Sequence, residues 1–276
     1  MTVIDSTNGR QTLLDPFTAA AEQDAPTRPR VLSYVGRWGR ARRWLPPTAL
    51  RVLDVGCAFG YGSAAIGAGG PAGRVVIGVE RDPEHLEMAR RRFPWVTIMD
   101  SDAGALPVPD HCVDAVTMLD VIEHIADADR VLAEARRVLG PDGVIVVSVP
   151  HAGLLRRLDA LNLYAAARRR WPSLPALEAA TESDGGPHRH YTVAQLTEQL
   201  RPWFTVDRVA RTGLGLQEFV TIAAIIIRVG MRAPRVAQVL LPIHLLVYVL
   251  DDLLPTGPLA YHLAVRAHVN AAQAAA

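Results

Sequence analysis

Short apolar runs alternate with amphipathic stretches from residue 51 to residue 149. Residues 51–55, Arg-Val-Leu-Asp-Val, read as a buried strand. A glycine-rich turn follows, then a helix of small residues from Ser63. Residues 74–79 give a second strand. Asp82-Pro83-Glu84 then marks a helix start, with Asp82 as N-cap and proline in the first turn. That helix runs to Arg92, and Pro94 stops it. Residues 95–99, 115–119 and 144–149 supply three more strands, 127–139 a helix and 140–143 a turn. Strands alternating with helices at this spacing predict an α/β fold: a Rossmann-like doubly wound sheet of about seven strands, helices on both faces.

Outside that block the pattern changes. Residues 1–28 are polar and punctuated by proline. Val31, Leu32, Val35, Trp38 and Trp44, set among arginines, predict an amphipathic helix over 31–45, ended by Pro46-Pro47. Residues 153–170 are arginine-rich and amphipathic, 183–187 form a loop, 192–200 a short helix with Thr192 as N-cap, and 204–209 a sixth strand. From Leu216 to Leu254 the chain is mostly apolar, and 260–266 reads as the closing strand. The expected organisation is an N-terminal segment with a capping helix (1–47) and a core (48–212) carrying an insertion at 151–190. A mostly helical apolar insertion (213–258) between the last two strands follows, then a closing strand and tail (259–276).

The 276 residues suffice for one large domain with insertions. With 50% hydrophobic and 21% charged residues the composition is globular, and a net charge of +1 excludes the basic field of a typical nucleic-acid binder. All 29 basic residues are arginine, which together with abundant alanine, glycine and proline reads as a GC-rich bacterial genome. Cys57 and Cys112 are too few and too far apart for a disulfide framework or a zinc site. The N-terminus lacks an apolar leader, so a cytoplasmic location is expected.

Candidate chemistry begins at residues 52–62, where Gly56, Gly60 and Gly62 follow the first strand. In an open parallel sheet, ligands bind outside the carboxyl ends of the strands, and glycines there let the backbone approach them. This spacing alone would equally suit a nicotinamide dinucleotide. Glu80 ends the second strand, where a carboxylate can accept both hydroxyls of a ribose. Asp102 follows the third strand, where an acidic side chain can accept from an adenine amino group.

These motifs together resemble the class I S-adenosylmethionine (SAM)-dependent methyltransferases, in particular the ubiquinone-pathway-like group. The first motif stands as Val52-Leu53-Asp54-Val55-Gly56-Cys57-Ala58-Phe59-Gly60, departing from the family at Ala58-Phe59. The second is Val79-Glu80, the third Asp102-Ala103-Gly104-Ala105-Leu106-Pro107, and Val113-Asp114-Ala115 and the turn at 139–143 follow. The resemblance covers 51–150 and implies SAM as cofactor. It places Asp54 and Gly56 at the methionine end, Glu80 at the ribose, Asp102 and Ala103 at the adenine and Leu119 beside the cofactor, with Cys57, Gly60 and Arg81 as further cofactor-binding residues.

Asp120-Val-Ile-Glu-His124 follows the fourth strand, next to the implied methyl group. Three readings stand. The segment orders the helix start and shapes the pocket. Alternatively His124 is a general base for an acceptor hydroxyl. In the third reading Asp120, Glu123, His124 and His188 (or His190) hold Mg²⁺, as in small-RNA 2′-O-methyltransferases and some ubiquinone-pathway enzymes that the spacing resembles. His151, after the fifth strand, is either a second candidate to face the acceptor or a histidine of a surface loop.

Neither apolar run within 216–254 is long enough to span a membrane. Both suit a hairpin lying at a membrane interface, a lid, or a homodimer contact. The leading expectation is O-methylation of a lipophilic small molecule or lipid-linked acceptor, at the inner face of the cell membrane. The alternatives are a soluble natural-product tailoring methyltransferase and a non-catalytic SAM-fold binding protein.

Overall fold

The computed structural model describes residues 2–4, 11–13, 16–21, 36–68, 70–175, 189–232 and 241–270. The beginning of the predicted first helix (31–35), the 183–187 loop, His188 and the 271–276 tail lie outside the described residues.

Two short strands, β1 (Thr2–Ile4) and β2 (Gln11–Leu13), pair antiparallel in the segment read only as polar. Helices α1 (Pro16–Ala21) and α2 (Gly36–Trp44) follow. The core then alternates β3 (Arg51–Val55), α3 (Tyr61–Ala68), β4 (Val75–Glu80), α4 (Pro83–Arg92), β5 (Thr97–Asp100), β6 (Val113–Leu119), α5 (Ala128–Val138) and β7 (Leu139–Pro150). After it come α6 (Ala160–Arg170), α7 (Val193–Leu200), β8 (Phe204–Thr212), α8 (Leu216–Ile225), α9 (Leu241–Asp252) and β9 (His262–Val269).

The seven core strands form one sheet in the order β5-β4-β3-β6-β7-β9-β8. β3 to β7 are parallel neighbours, whereas β9 runs antiparallel to both β7 and β8. The central strands are buried on both faces, which is why Val52, Leu53, Val116, Ile145 and Val147 form continuous apolar runs instead of alternating ones. The two ends of the sheet differ. β5 is only four residues long, and β8 carries exposed polar side chains, so neither offers a long apolar edge.

Local signals fixed several boundaries. Asp82 accepts from the backbone N–H of Glu84 and His85 and starts α4, as its sequence predicts. Thr192 and Gln195 form a reciprocal capping box at α7. Residues 140–143 project as an irregularity inside β7: Leu139 pairs with Val113, yet pairing resumes only at Val144 with Ala115. The predicted turn is therefore an interruption within a longer strand. The closing strand begins two residues later than its pattern suggested and extends to Val269.

Candidate functional site

The turn after β3 is tied to the end of β4. The N–H groups of Gly56 and Cys57 both donate to the Val79 carbonyl, at 2.8 and 3.0 Å. Gly56 has φ +69°, and a Cβ there would lie 2.6 Å from Val121 Cγ2. Glycine is thus required by both conformation and space. The turn leaves an open cavity of about 810 Å³ at the carboxyl ends of β3, β4, β5 and β6, within the range of small-molecule sites.

Glu80, the last residue of β4, lines that cavity. Its Oε2 accepts from Ala58 N at 2.9 Å, and Oε1 from Arg81 N and Asp82 N at 2.8 and 3.0 Å. Three backbone donors therefore fix the carboxylate before any ligand arrives. Asp102, past β5, also lines the cavity; its Oδ1 accepts from Gly104 N at 2.9 Å. Arg81 and Arg130 stand 3.6 and 3.5 Å from its two oxygens.

Of the residues singled out from sequence, Gly56, Glu80, Arg81, Asp102, Ala103, Asp120 and His124 meet around this one cavity. Asp54, Cys57, Gly60, Leu119, Glu123 and His151 do not line it. Asp54 is buried beneath the turn, accepting from Ser63 Oγ at 2.7 Å and Thr117 Oγ1 at 2.6 Å. Burial pushes its carboxyl up to about 6, against the opposing hydrogen bonds. It ties the turn to the start of α3 and to β6. Cys57 packs into the layer beneath α4, with its Sγ over Gly78, where a Cβ would meet it at 2.7 Å. Burial raises its thiol far above the usual range. Gly60, at φ +79°, faces Phe93 and Ala89, and Leu119 is half-buried against the core.

His151 lies neither in a surface loop nor among the residues lining the cavity. It is buried, and its Nδ1 lies 3.0 Å from the Ala260 carbonyl, joining β7 to the start of β9. Nor do the described members of the candidate metal set assemble. Among the described residues no three His, Cys, Asp or Glu side chains converge on a cation position. Asp120 pairs instead with Arg37 of α2 and accepts from Ser148 Oγ, while Glu123 is buried outside the cavity. His190 sits 3.3 Å from Asp159 Oδ2, and His188 lies outside the described residues. The described members therefore do not fit Mg²⁺.

Arg37 was not singled out from sequence. Its guanidinium is buried between Asp120 and His262, and burial lowers its pKa to about 10, so it remains charged at neutral pH. Arg40, one turn on, binds Asp252 and Thr212. The amphipathic pattern of α2 showed a helix among arginines. It could not show which arginines turn inward, because their partners lie far away in sequence, His262 and Asp252 more than two hundred residues on.

Residues 53–147 match the family model described as a methyltransferase domain. Over 104 residues the chain is 39% identical to a probable S-adenosylmethionine-dependent methyltransferase of Mycobacterium tuberculosis. That stretch is 38% of this chain and 37% of the relative, so the match spans little more than a third of its length. Over 204 residues, 70% of this chain and 80% of the relative, it is 30% identical to a demethylmenaquinone methyltransferase of Renibacterium salmoninarum. Among solved structures it resembles a possible histamine N-methyltransferase from Thermotoga maritima. The TM-score is 0.55 at 17% identity, covering 87% of this chain and 92% of that one, a likeness of fold.

Proposed function

Because the chain belongs to the class I SAM-dependent methyltransferases, we propose that it transfers the methyl group of SAM to an oxygen of a lipophilic small molecule or lipid-linked acceptor. The observation that carries this reading is the meeting of the Gly56 turn, Glu80 and Asp102 around one cavity at the carboxyl edge of the sheet.

The residues present fit the cofactor. Glu80 is fixed by backbone N–H groups and would receive the two ribose hydroxyls. Asp102 and Ala103 would hold the adenine, and Gly56, in the wall of the cavity, would meet the methionine end. Bound SAM supplies a methyl group activated by its sulfonium. In this reading the chain's main contribution is alignment and exclusion of water. His124, at the end of the 3₁₀ turn Ile122–His124, lines the cavity beside Asp120 and would take the proton of an acceptor hydroxyl.

Two observations support a lipophilic acceptor. Relatives that the chain covers over most of their length are named demethylmenaquinone methyltransferases, which favours a quinone-type molecule. Large apolar side chains are also exposed on α8 and α9. The inner face of the cell membrane is the proposed place of action.

The test is incubation of the full chain with methyl-labelled SAM and a bacterial lipid extract, followed by chromatography of the lipid and aqueous phases. Label in an extractable lipid, lost on demethylation of an ether oxygen, is the expected outcome. Label confined to aqueous products would overturn the lipophilic acceptor. Failure of SAM to protect the folded chain thermally would return the non-catalytic alternative.

A further inference from the structure

The topology brings two unusual segments to the edge that holds the cavity. β9 is antiparallel to both β7 and β8, so β8 points the same way as the parallel strands. Its end at Thr212 and the end of β7 at Pro150 therefore lie at the carboxyl edge. From the first spring α8 and α9, and from the second springs the 154–171 segment that includes α6. α6 packs on α8, and Ala160 N donates to Glu218 Oε2 at 2.9 Å.

α8 packs between α6 and α9, and each of these segments exposes apolar side chains. Phe219, Ile226 and Met231 are 55%, 57% and 67% exposed, Leu246 and Leu250 58% and 54%, and Leu154 and Trp171 75% and 57%. Among the described residues of these segments the exposed charge is mainly basic. Arg228 and Arg232 are exposed beyond Phe219, and the one acid of α8, Glu218, accepts from Ala160 N. Residues 154–171 contain Arg156, Arg157, Arg168, Arg169 and Arg170, and their single acid, Asp159, is buried as the N-cap of α6. Asp251 and Asp252, which follow α9's apolar run, are buried on the N–H groups before α8 and on Arg40.

We propose that this face of α8, α9 and the 154–171 segment docks the protein on an anionic phospholipid bilayer. Apolar side chains enter the acyl boundary while flanking arginines meet phosphate headgroups, an arrangement suited to helices lying in the interface. The charge decides against a second copy of the same face, since pairing two such faces would bring like-charged arginines together. Among the described residues no helix is long and apolar enough to cross a membrane, so the contact is with one surface. Placement at the cavity's own edge would let a lipid-soluble acceptor enter without crossing water. That consequence rests on the proposed acceptor class; the docking itself is read without turnover.

The test is flotation of the full chain with vesicles of phosphatidylcholine alone and of equal parts phosphatidylcholine and phosphatidylglycerol, in the absence of SAM. Binding to the mixed vesicles, weakened by salt and weak on phosphatidylcholine, is expected. Arg228→Gln with Arg232→Gln should weaken it by about fivefold per arginine. Phe219→Glu with Leu246→Glu should abolish it, with SAM affinity unchanged as the check on folding. A parent chain that does not float with the mixed vesicles, or variants that bind them as tightly as the parent, would overturn the proposal. So would a stable dimer in light scattering that the Phe219/Leu246 variant dissociates. A chain that binds vesicles yet methylates nothing would separate the failure of the acceptor reading from that of the docking face.

Discussion

Thr117 Oγ1 donates a 2.6 Å hydrogen bond to Asp54 Oδ1, joining the middle of β6 to the middle of β3 beneath the glycine turn. Ser63 at the start of α3 holds the other oxygen. The conserving of this carboxylate inside the core costs stability when it ionises, and that cost is measurable.

Burial raises the Asp54 carboxyl from 3.8 to about 6. Between these values the folded chain binds more protons than the unfolded chain, so stability falls as pH rises through this window and levels above it. The shift corresponds to roughly 3 kcal/mol. Asp54→Asn keeps an acceptor for Thr117 and removes the ionisation. Urea unfolding across the window should show the variant gaining on the parent as pH rises. A difference independent of pH would mean that Asp54 does not carry the effect.

Gly56→Ala meets two obstacles, a φ of +69° and a contact of 2.6 Å with Val121 Cγ2. Destabilisation by about 1–3 kcal/mol is expected, with loss of SAM binding. Adding Val121→Ala removes the contact but not the backbone strain, so it should restore part of the stability. Full restoration, or none, in denaturant titrations would contradict one of the two causes.

Glu80→Gln keeps one oxygen where the carboxylate has two. Stability should fall by about 1 kcal/mol through the backbone donors of Ala58, Arg81 and Asp82. SAM affinity by calorimetry should fall about 10- to 100-fold. Unchanged affinity would remove Glu80 from the cofactor site.

His124→Gln should lower kcat/KM by a factor of about 10² to 10⁴ while leaving the Kd for SAM as it was. Weakened SAM binding with kcat unaltered would instead make His124 part of the cofactor wall.

The order of strands and helices from 51 to 150 was readable because central parallel strands are buried on both faces and leave continuous apolar runs between capped helices. Asp82 and Thr192 announced their helices for an equally local reason, since a cap needs only donors within three residues. Glu80 and Asp102 were legible because strand ends place side chains at the ligand edge. The surroundings of His151 and Cys57 were not legible for the opposite reason. Each follows a strand as a site residue would, and only the fold sets the first beside the Ala260 carbonyl and the second over Gly78.

By itself the sequence determined the fold class, the glycine turn and the two acidic residues beside it, because these depend on short-range pattern and on position at strand ends. Only the tertiary structure decided that Asp54 turns inward to Thr117 and Ser63, and that Arg37 from α2 pairs with Asp120. Apart from Ser63, nine residues from Asp54, these partners are distant in sequence and brought within reach by packing, and no local pattern encodes which partner arrives.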